Sequence, residues 1–145
     1  MFCAVVTGDA PAVRIYENDH YLAFLDIRPV TRGHTLVIPK QHSADLTDTP
    51  AATLNGIITL GQRIARAART SGLHADGSNL VINDGRAASQ SVFHIHVHVV
   101  PRRGVGLGDK LSFAKGLLIR RDPDREHTGA ILRAALAADD GAPSD

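Results

Sequence analysis

Three histidines alternate with aliphatic residues near two-thirds of the way along the chain, in the segment "HIHVHVV" from His94 to Val100. Successive side chains of a β-strand point to opposite faces, so the segment predicts a strand over residues 92–101 with three imidazoles on one face. The β-branched residues between them favour a strand and supply an apolar face for a core. Three neighbouring imidazoles are costly to bury without hydrogen bonds, and their face therefore indicates a function.

The rest of the chain predicts an α+β fold with a mostly antiparallel sheet, one long helix and a C-terminal helix. Short apolar segments bounded by turn residues predict further strands. These strands lie within residues 12–19, 20–27, 34–39 and 79–84, the helices within residues 48–72 and 123–137. We expect one domain over residues 1–137, followed by a flexible tail over residues 138–145.

The long helix carries its own boundary signals. Thr49 is expected to cap it, Pro50 suits its first turn and Gly72 suits its exit. Gly61 lies within the apolar stripe, where glycine costs about 1 kcal/mol relative to alanine. Either another element packs closely against Gly61, or the cost is tolerated.

Composition excludes several function classes. The formal net charge of +1 argues against duplex DNA or an anionic membrane as partner. No apolar stretch approaches the roughly 20 residues of a membrane span, and the N-terminal segment lacks the features of a signal peptide. The only cysteine, Cys3, fits a reducing compartment. We therefore expect a cytoplasmic protein.

The residues alone leave three explanations for the histidine face. A structural cluster is one. A metal site is the second, but three histidines on one strand span roughly 13 Å, so a single ion would need ligands from elsewhere. Nucleophilic catalysis is the third, because a neutral imidazole attacks phosphorus or an acyl carbon when its neighbours hold its tautomer. Gln90 and Ser91 precede the strand, and the loop over residues 83–89 can offer backbone N–H groups to a phosphate.

Two longer segments carry a family resemblance. "FLDIRPVTRGHTLVIPKQH", from Phe24 to His42, and "LVINDGRAASQSVFHIHVHVVP", from Leu80 to Pro101, resemble the conserved blocks of the histidine triad superfamily of nucleotide hydrolases and transferases. The chain is similar to bacterial histidine triad nucleotide-binding proteins in particular. The resemblance covers about residues 2–103 and implies the histidine triad fold.

The resemblance implies a catalytic role for four histidines. His96 matches the nucleophile that attacks the α-phosphorus of a nucleotide. His98 matches the residue that binds phosphate oxygens, and His94 matches the residue that orients the site from the other side. His34 matches a further histidine that supports the triad by hydrogen bonding.

The resemblance also implies a nucleotide-binding site. Asp26 matches the carboxylate that grips the ribose, Asn83 a polar residue that lines the site, and Gln90 and catalytic Ser91 match residues near the phosphate and leaving group. Ser89 replaces a glycine of the relatives, which we expect to alter the leaving-group preference. The apolar walls of the base pocket would be Phe2, Val5, Phe24 and Ile27.

The metal site of many bacterial relatives is expected to be missing. They combine a Cys-x-x-Cys pair with histidines around zinc, whereas here Cys3 takes the second cysteine's place and the first would precede Met1. Cys3, His42 and His94 are then an incomplete set, so we predict no metal and no other cofactor.

The function implied is hydrolysis of purine nucleoside phosphoramidates or related adenylylated compounds, through a nucleotidyl-histidine intermediate. The resemblance also implies an AMP-type nucleotide as ligand and a homodimer as the assembly. Gly61 is then a candidate for close contact between the two subunits. A dinucleoside polyphosphate hydrolase is the alternative, since "HVVPRR" resembles that branch. A nucleotide-binding regulatory protein with incidental catalysis and a metal-binding module remain further alternatives.

Overall fold

The computed structural model of the chain describes residues 1–104 and 122–141. Three helices and five strands make up the described part. In chain order they are α1 (Phe2–Thr7), β1 (Arg14–Glu17), β2 (Tyr21–Leu25), β3 (Thr35–Pro39), α2 (Ala51–Thr70), β4 (Gly77–Val81), β5 (Val97–Arg102) and α3 (Arg125–Asp140), with a short 3-10 turn at Arg86–Ala88 between β4 and β5.

The five strands form one sheet in the order β1-β2-β3-β5-β4, and all neighbouring pairs are antiparallel. The predicted α+β class and antiparallel sheet are confirmed. The pairing of β3 with β5 places Leu36 opposite His98. The sheet thereby brings the residues around His34 beside the histidine segment, although 60 positions separate them in sequence.

One face of the sheet is covered by α2 and α3. Val97 and Val99 of β5 point to this face and pack in a single cluster with apolar residues of both helices. The aliphatic positions of the alternating segment therefore form core, as predicted. The buried residues that the two helices contribute to this cluster are Ile57, Leu60, Ile64, Ala67, Ala68, Leu132 and Leu136.

The other face carries a smaller apolar cluster and α1. Leu22 and Phe24 of β2 alternate with residues of the covered face, as do Leu36 and Ile38 of β3. Helix α1 packs on this cluster through Phe2 and Val5. Because both faces of β2 are buried, its sequence "YLAFL" is apolar throughout instead of alternating.

Strand β5 begins later than predicted. It starts at Val97, so His94 and His96 precede it, and only His98 lies within it. The backbone N–H of Ile95 donates to the carbonyl of Ser43 in a loop, at 2.7 Å. This contact ties the segment to that loop before the ladder with β3 begins at Val97.

The long helix differs from its prediction at its start. Thr49 does not cap it; the Thr49 hydroxyl donates to the carbonyl of Asp45, and Pro50 occupies the cap position. At Gly61 a Cβ atom would lie 3.2 Å from the Leu80 side chain and 3.5 Å from that of Val99. The close approach predicted for Gly61 thus exists within one subunit, between α2 and the sheet.

The C-terminal helix extends beyond its predicted end. Residues 138–140, expected to begin the tail, continue α3, and Arg63 of α2 pairs with Asp139 and Asp140. Residues 142–145 lie outside the described part, and the domain boundaries remain a prediction. In the two described ranges, the helices are too short or too polar to cross a membrane.

Candidate active site

A cavity of about 440 Å³ opens on the sheet face that carries α1. Its volume is in the range of small-molecule sites. Eight of the predicted site residues line it: Phe2, Val5, Phe24, Asp26, Ile27, Ser91, His96 and His98. The remaining predicted residues, His34, His94, Asn83, Ser89 and Gln90, lie outside its lining.

His96 lies at this cavity with its tautomer set by the backbone. Its Nδ1 is 2.7 Å from the carbonyl oxygen of His94, and a carbonyl only accepts hydrogen bonds. The proton of neutral His96 is therefore on Nδ1, and Nε2 keeps a lone pair. A buried imidazole with a free Nε2 lone pair at a cavity has the form of a nucleophile or general base.

His98 carries its proton on Nε2, unlike His96, because of its contact with His34. The backbone N–H of Val30 donates to Nδ1 of His34 at 3.0 Å, which places the His34 proton on Nε2. That Nε2 is 3.0 Å from Nδ1 of His98, so His98 accepts there and carries its own proton on Nε2. The His98 Nε2 atom is buried and has no hydrogen-bond partner among the residues that the structure describes. It is a donor available to a ligand in the cavity.

Burial keeps these imidazoles neutral. Loss of solvation lowers the pKa of His96, with opposing contributions from the His94 carbonyl and Asp26. It lowers the pKa of His98 to about 4, assisted by the neighbouring His96 and His34. The pKa of His34 is lowered mainly by burial as well. At neutral pH the site therefore offers one nitrogen lone pair and one N–H donor without a positive imidazolium.

Asp26 and Arg28 form the polar rim of the cavity on the β2 side. One carboxylate oxygen of Asp26 accepts the backbone N–H of Arg28 at 2.8 Å, and the other lies 3.6 Å from Nε2 of His34. Both residues line the cavity. The carboxylate is thus held by its own turn at the wall of the cavity.

The Gln90 side chain forms hydrogen bonds with loop backbone groups and is not part of the cavity lining. Its Oε1 accepts the backbone N–H of Gly85, and its Nε2 donates to the carbonyls of Ala44 and Val92. Both amide protons are therefore used by the backbone. Because buried polar groups need partners, the backbone takes up this amide, and the placement of Gln90 near the phosphate stays a prediction.

Ser89 and Asn83 also lie apart from the cavity lining. Ser89 is exposed and adopts a left-handed conformation, with φ of 68°, at the end of the 3-10 turn. A left-handed position favours glycine, the residue that the family resemblance implies there. Ser91, two residues further on, does line the cavity.

The cavity lining also includes residues that were not predicted from the sequence. Leu36 is one of them, two positions from His34 and opposite His98 in the sheet. Period-two alternation from His34 would have identified it. Arg28 and the turn over residues 10–12 are others, and neither carries a comparable pattern.

Cys3, His42 and His94 form a second cluster beside the cavity. Nε2 of His94 lies 2.7 Å from the carbonyl oxygen of Pro39, so its proton is on Nε2 and its Nδ1 keeps a lone pair. Cys3 Sγ is 3.6 Å from Nδ1 of His94 and 3.6 Å from Nδ1 of His42, and the two Nδ1 atoms are 3.4 Å apart. Three metal-ligand atoms from distant parts of the chain therefore converge.

These separations fit zinc. Tetrahedral bonds of about 2.3 Å to sulfur and about 2.0–2.1 Å to nitrogen would set S···N at about 3.5 Å and N···N at about 3.4 Å. The free Nδ1 of His94, with its other nitrogen bonded to a carbonyl, is the usual state of a zinc-ligating histidine. The donor geometry argues against the prediction that Cys3, His42 and His94 are too few to hold a metal.

The chain is similar over nearly its whole length to known protein sequences and to a solved structure. The chain is 62% identical over 145 residues to an uncharacterized HIT-like protein of Mycobacterium tuberculosis H37Rv, covering all of this chain and 98% of that protein. It is 36% identical over 144 residues to an adenosine 5′-monophosphoramidase of Saccharomyces cerevisiae, covering 97% of this chain and 83% of the yeast protein. A crystal structure of a zinc-bound histidine triad family protein from Mycobacterium smegmatis matches with a TM-score of 0.86 and 63% identity, covering 98% of this chain and 96% of the other.

The model of the HIT domain family matches residues 7–105, which include β1 to β5 and all three histidines of the alternating segment. The chain belongs to the HIT domain family.

Proposed function

We propose that this protein hydrolyses nucleoside 5′-phosphoramidates or related adenylylated compounds at the α-phosphorus. The observation that carries the proposal is the pairing of opposite tautomers at one cavity. His96 offers a lone pair on Nε2, and His98 offers a buried N–H on Nε2. A nucleophile beside a donor for developing negative charge is the combination that substitution at phosphorus requires.

The reaction would proceed in two displacements. The Nε2 lone pair of His96 forms a bond to phosphorus, and the bond from phosphorus to the leaving nitrogen breaks while that nitrogen takes a proton from solvent and departs as the neutral amine. Water then supplies a hydroxyl group to phosphorus, the bond to His96 breaks, AMP is released and a proton passes to solvent. His98 Nε2–H stabilises the charge on the phosphate oxygens in both steps.

The walls of the cavity support a nucleotide as ligand. Phe2, Val5 and Phe24 are buried apolar residues suited to the faces of a purine, and Ile27 is exposed at the mouth. The carboxylate of Asp26 is available to ribose hydroxyls, as the family resemblance implies. The yeast relative is named as an adenosine 5′-monophosphoramidase, which favours a P–N bond as the target.

Turnover of a fluorogenic adenosine 5′-phosphoramidate tests the proposal. Wild-type protein should hydrolyse it, and His96→Ala should lose at least about 10³-fold in kcat, because no other side chain can replace the covalent step. His127→Ala is the matched control, since His127 is exposed on α3. Both variants should be checked for native structure by circular dichroism.

Two outcomes would contradict the proposal. Full activity of a folded His96→Ala variant would exclude His96 as the nucleophile. No turnover by the folded wild type, with AMP still bound, would leave a nucleotide-binding protein. Diadenosine polyphosphates offered in the same assay test the alternative substrate class; faster turnover of these compounds would favour it.

We also propose that the protein is a homodimer, as the resemblance implies. Strand β4 pairs only with β5 among the described strands, so its other edge is available for a second subunit. Leu80 on β4 and Ile58 on α2 are large apolar residues that are more than one-third exposed beside that edge. Light scattering coupled to size exclusion should give twice the mass of the 15.4 kDa chain; a monomeric mass would overturn this proposal.

A zinc ion held by Cys3, His42 and His94 is a further part of the proposal. The donor separations support it, and so does the description of the Mycobacterium smegmatis relative as zinc-bound. When bound, the metal would act as a cross-link among three segments of the chain. Elemental analysis of purified protein should find zinc in wild type and much less in Cys3→Ala and His42→Ala.

A further inference from the structure

Helix α1 carries a metal-ligand atom and a wall of the cavity on adjacent residues. The ring of Phe2 contacts the nucleophile edge-on, with centroids 5.1 Å apart, and contacts Phe24 at 5.5 Å. The next residue, Cys3, directs its Sγ to Nδ1 of His42 and His94. Whatever fixes Cys3 therefore also fixes the position of Phe2.

The two ends of α1 are attached unequally. Near its C-terminal end, the carbonyl of Val5 accepts a hydrogen bond from Arg14 at 2.6 Å, and the N–H of Ala10 donates to the carbonyl of Ala4. At the N-terminal end there is no side-chain cap hydrogen bond. A helix of six residues is not stable by itself in water, so its N-terminal turn depends on Phe2 and Cys3 for its attachment.

We propose that a metal ion bound by Cys3, His42 and His94 fastens the N-terminal turn of α1 and thereby completes the Phe2 wall, so that metal and nucleotide bind cooperatively. The inference rests on the proposed nucleotide site. It follows because ordering Phe2 costs conformational entropy, which the nucleotide must offset alone when the metal is absent. By linkage, nucleotide must strengthen metal binding by the same factor.

Whether the metal strengthens or weakens nucleotide binding identifies the residues that hold the metal. A second group of donors consists of Asp26 and His98, which line the cavity, and His34 beside them. A metal bound there would occupy groups needed by the nucleotide, so it would weaken nucleotide binding. A metal at Cys3 leaves these groups free and strengthens binding.

Calorimetric titration of full-length protein with AMP provides the test, after removal of metal with a chelator and with or without one equivalent of Zn²⁺. We expect Zn²⁺ to lower the Kd for AMP by about fivefold or more, within the usual range of coupling between sites. In Cys3→Ala and His42→Ala, Zn²⁺ should leave the Kd unchanged. His20→Ala, which removes an exposed histidine outside the cluster, should retain the wild-type effect.

Hydrogen exchange gives a readout that is independent of nucleotide. Zn²⁺ should slow exchange of the α1 amides in wild type and not in Cys3→Ala. Stoichiometric zinc with an unchanged AMP Kd would overturn the coupling and leave the proposed function intact. Weaker AMP binding with zinc would also overturn it. Absence of AMP binding in both metal states would overturn the proposed function, and the coupling with it.

Discussion

The two faces of the sheet are built from the same strands but are closed to different degrees. The face under α2 and α3 is sealed by two helices of 20 and 16 residues, and its contacts are almost entirely apolar. Among the described residues, the opposite face is covered by the six-residue α1 and a small apolar cluster, and it holds the cavity and the histidines. One face supplies stability, while the other keeps polar groups at a space that a ligand can enter.

Strand β5 shows how one segment serves both faces. Val97 and Val99 are fully buried under α2, and His98 between them faces the cavity. On the polar face, hydrogen bonds within and beside the segment hold His96 and Nδ1 of His98, whereas Nε2 of His98 has no partner among the described residues. Core packing and site chemistry are therefore separable, and substitutions on the two faces should have different consequences.

Ile64→Ala is expected to give the largest effect on stability. Ile64 is fully buried in α2, and removing its side chain should lower the free energy of unfolding by about 2–5 kcal/mol. Because Ile64 packs on the sealed face, the Kd of the folded variant for AMP should stay within about twofold of wild type. Urea denaturation and calorimetry measure the two quantities.

Phe2→Ala is the matched substitution on the cavity face. It should weaken AMP binding more than Ile64→Ala does, with a smaller loss of stability, because α1 can detach without disrupting the sheet. A folded Ile64→Ala protein whose AMP affinity falls tenfold would show that the two faces are not separable.

Acidification is expected to act on the cavity face. In the unfolded chain a histidine takes up a proton near pH 6.5, whereas the pKa of His98 in the folded protein is about 4 and that of His34 is also lowered. The stability that neutral His98 contributes is therefore fully present above about pH 6.5 and is lost as pH falls toward 4, by up to about 1.4 kcal/mol per pH unit. Protonation of His34 lowers the stability in the same direction. His98→Asn should make the pH dependence of the urea midpoint less steep. Equal slopes for the variant and wild type between pH 6.5 and 4 would contradict this account.

Gly61→Leu is expected to give a smaller effect, on the sealed face. The space against Leu80 and Val99 does not hold a large side chain, so overpacking should cost about 1–3 kcal/mol of unfolding free energy. Gly61→Ala is the control and should be close to neutral, because the helix propensity of alanine offsets a contact that the half-exposed Leu80 side chain can relieve. If Gly61→Leu is as stable as wild type, α2 does not pack as closely on the sheet as the structure indicates.

Local patterns predicted which face of the sheet a residue occupies. They did not predict where β5 begins or which distant residues come into contact. Alternation in "HIHVHVV" assigned Val97 and Val99 to the core, and the three-and-four spacing of apolar residues predicted a helix within residues 48–72, where α2 lies. The start of β5 was missed because the bond from Ile95 to Ser43 is a loop contact without a local signal. Helix α1 was not predicted at all, since six residues are too few to show a helical period.

The site residues divide in the same way. Asp26 and His96, which lie in recognisable patterns, line the cavity in the structure, and their roles there stay predictions. The sequence does not show that backbone groups take up the Gln90 amide, because these partners come from tertiary packing. Cys3 and His42 were grouped only through the family resemblance, since their convergence depends on tertiary packing.

The contacts that set the histidine protons have a consequence for how such a protein can change. Main-chain groups fix His94, His96 and His34, and His98 follows from His34. A carbonyl is present whatever residue supplies it, and an amide N–H is present in every residue except proline, so most neighbouring side chains can be exchanged without moving a histidine proton. The walls and rim of the cavity are then free to change, while the path of the backbone preserves which nitrogen of His96 and of His98 carries the proton.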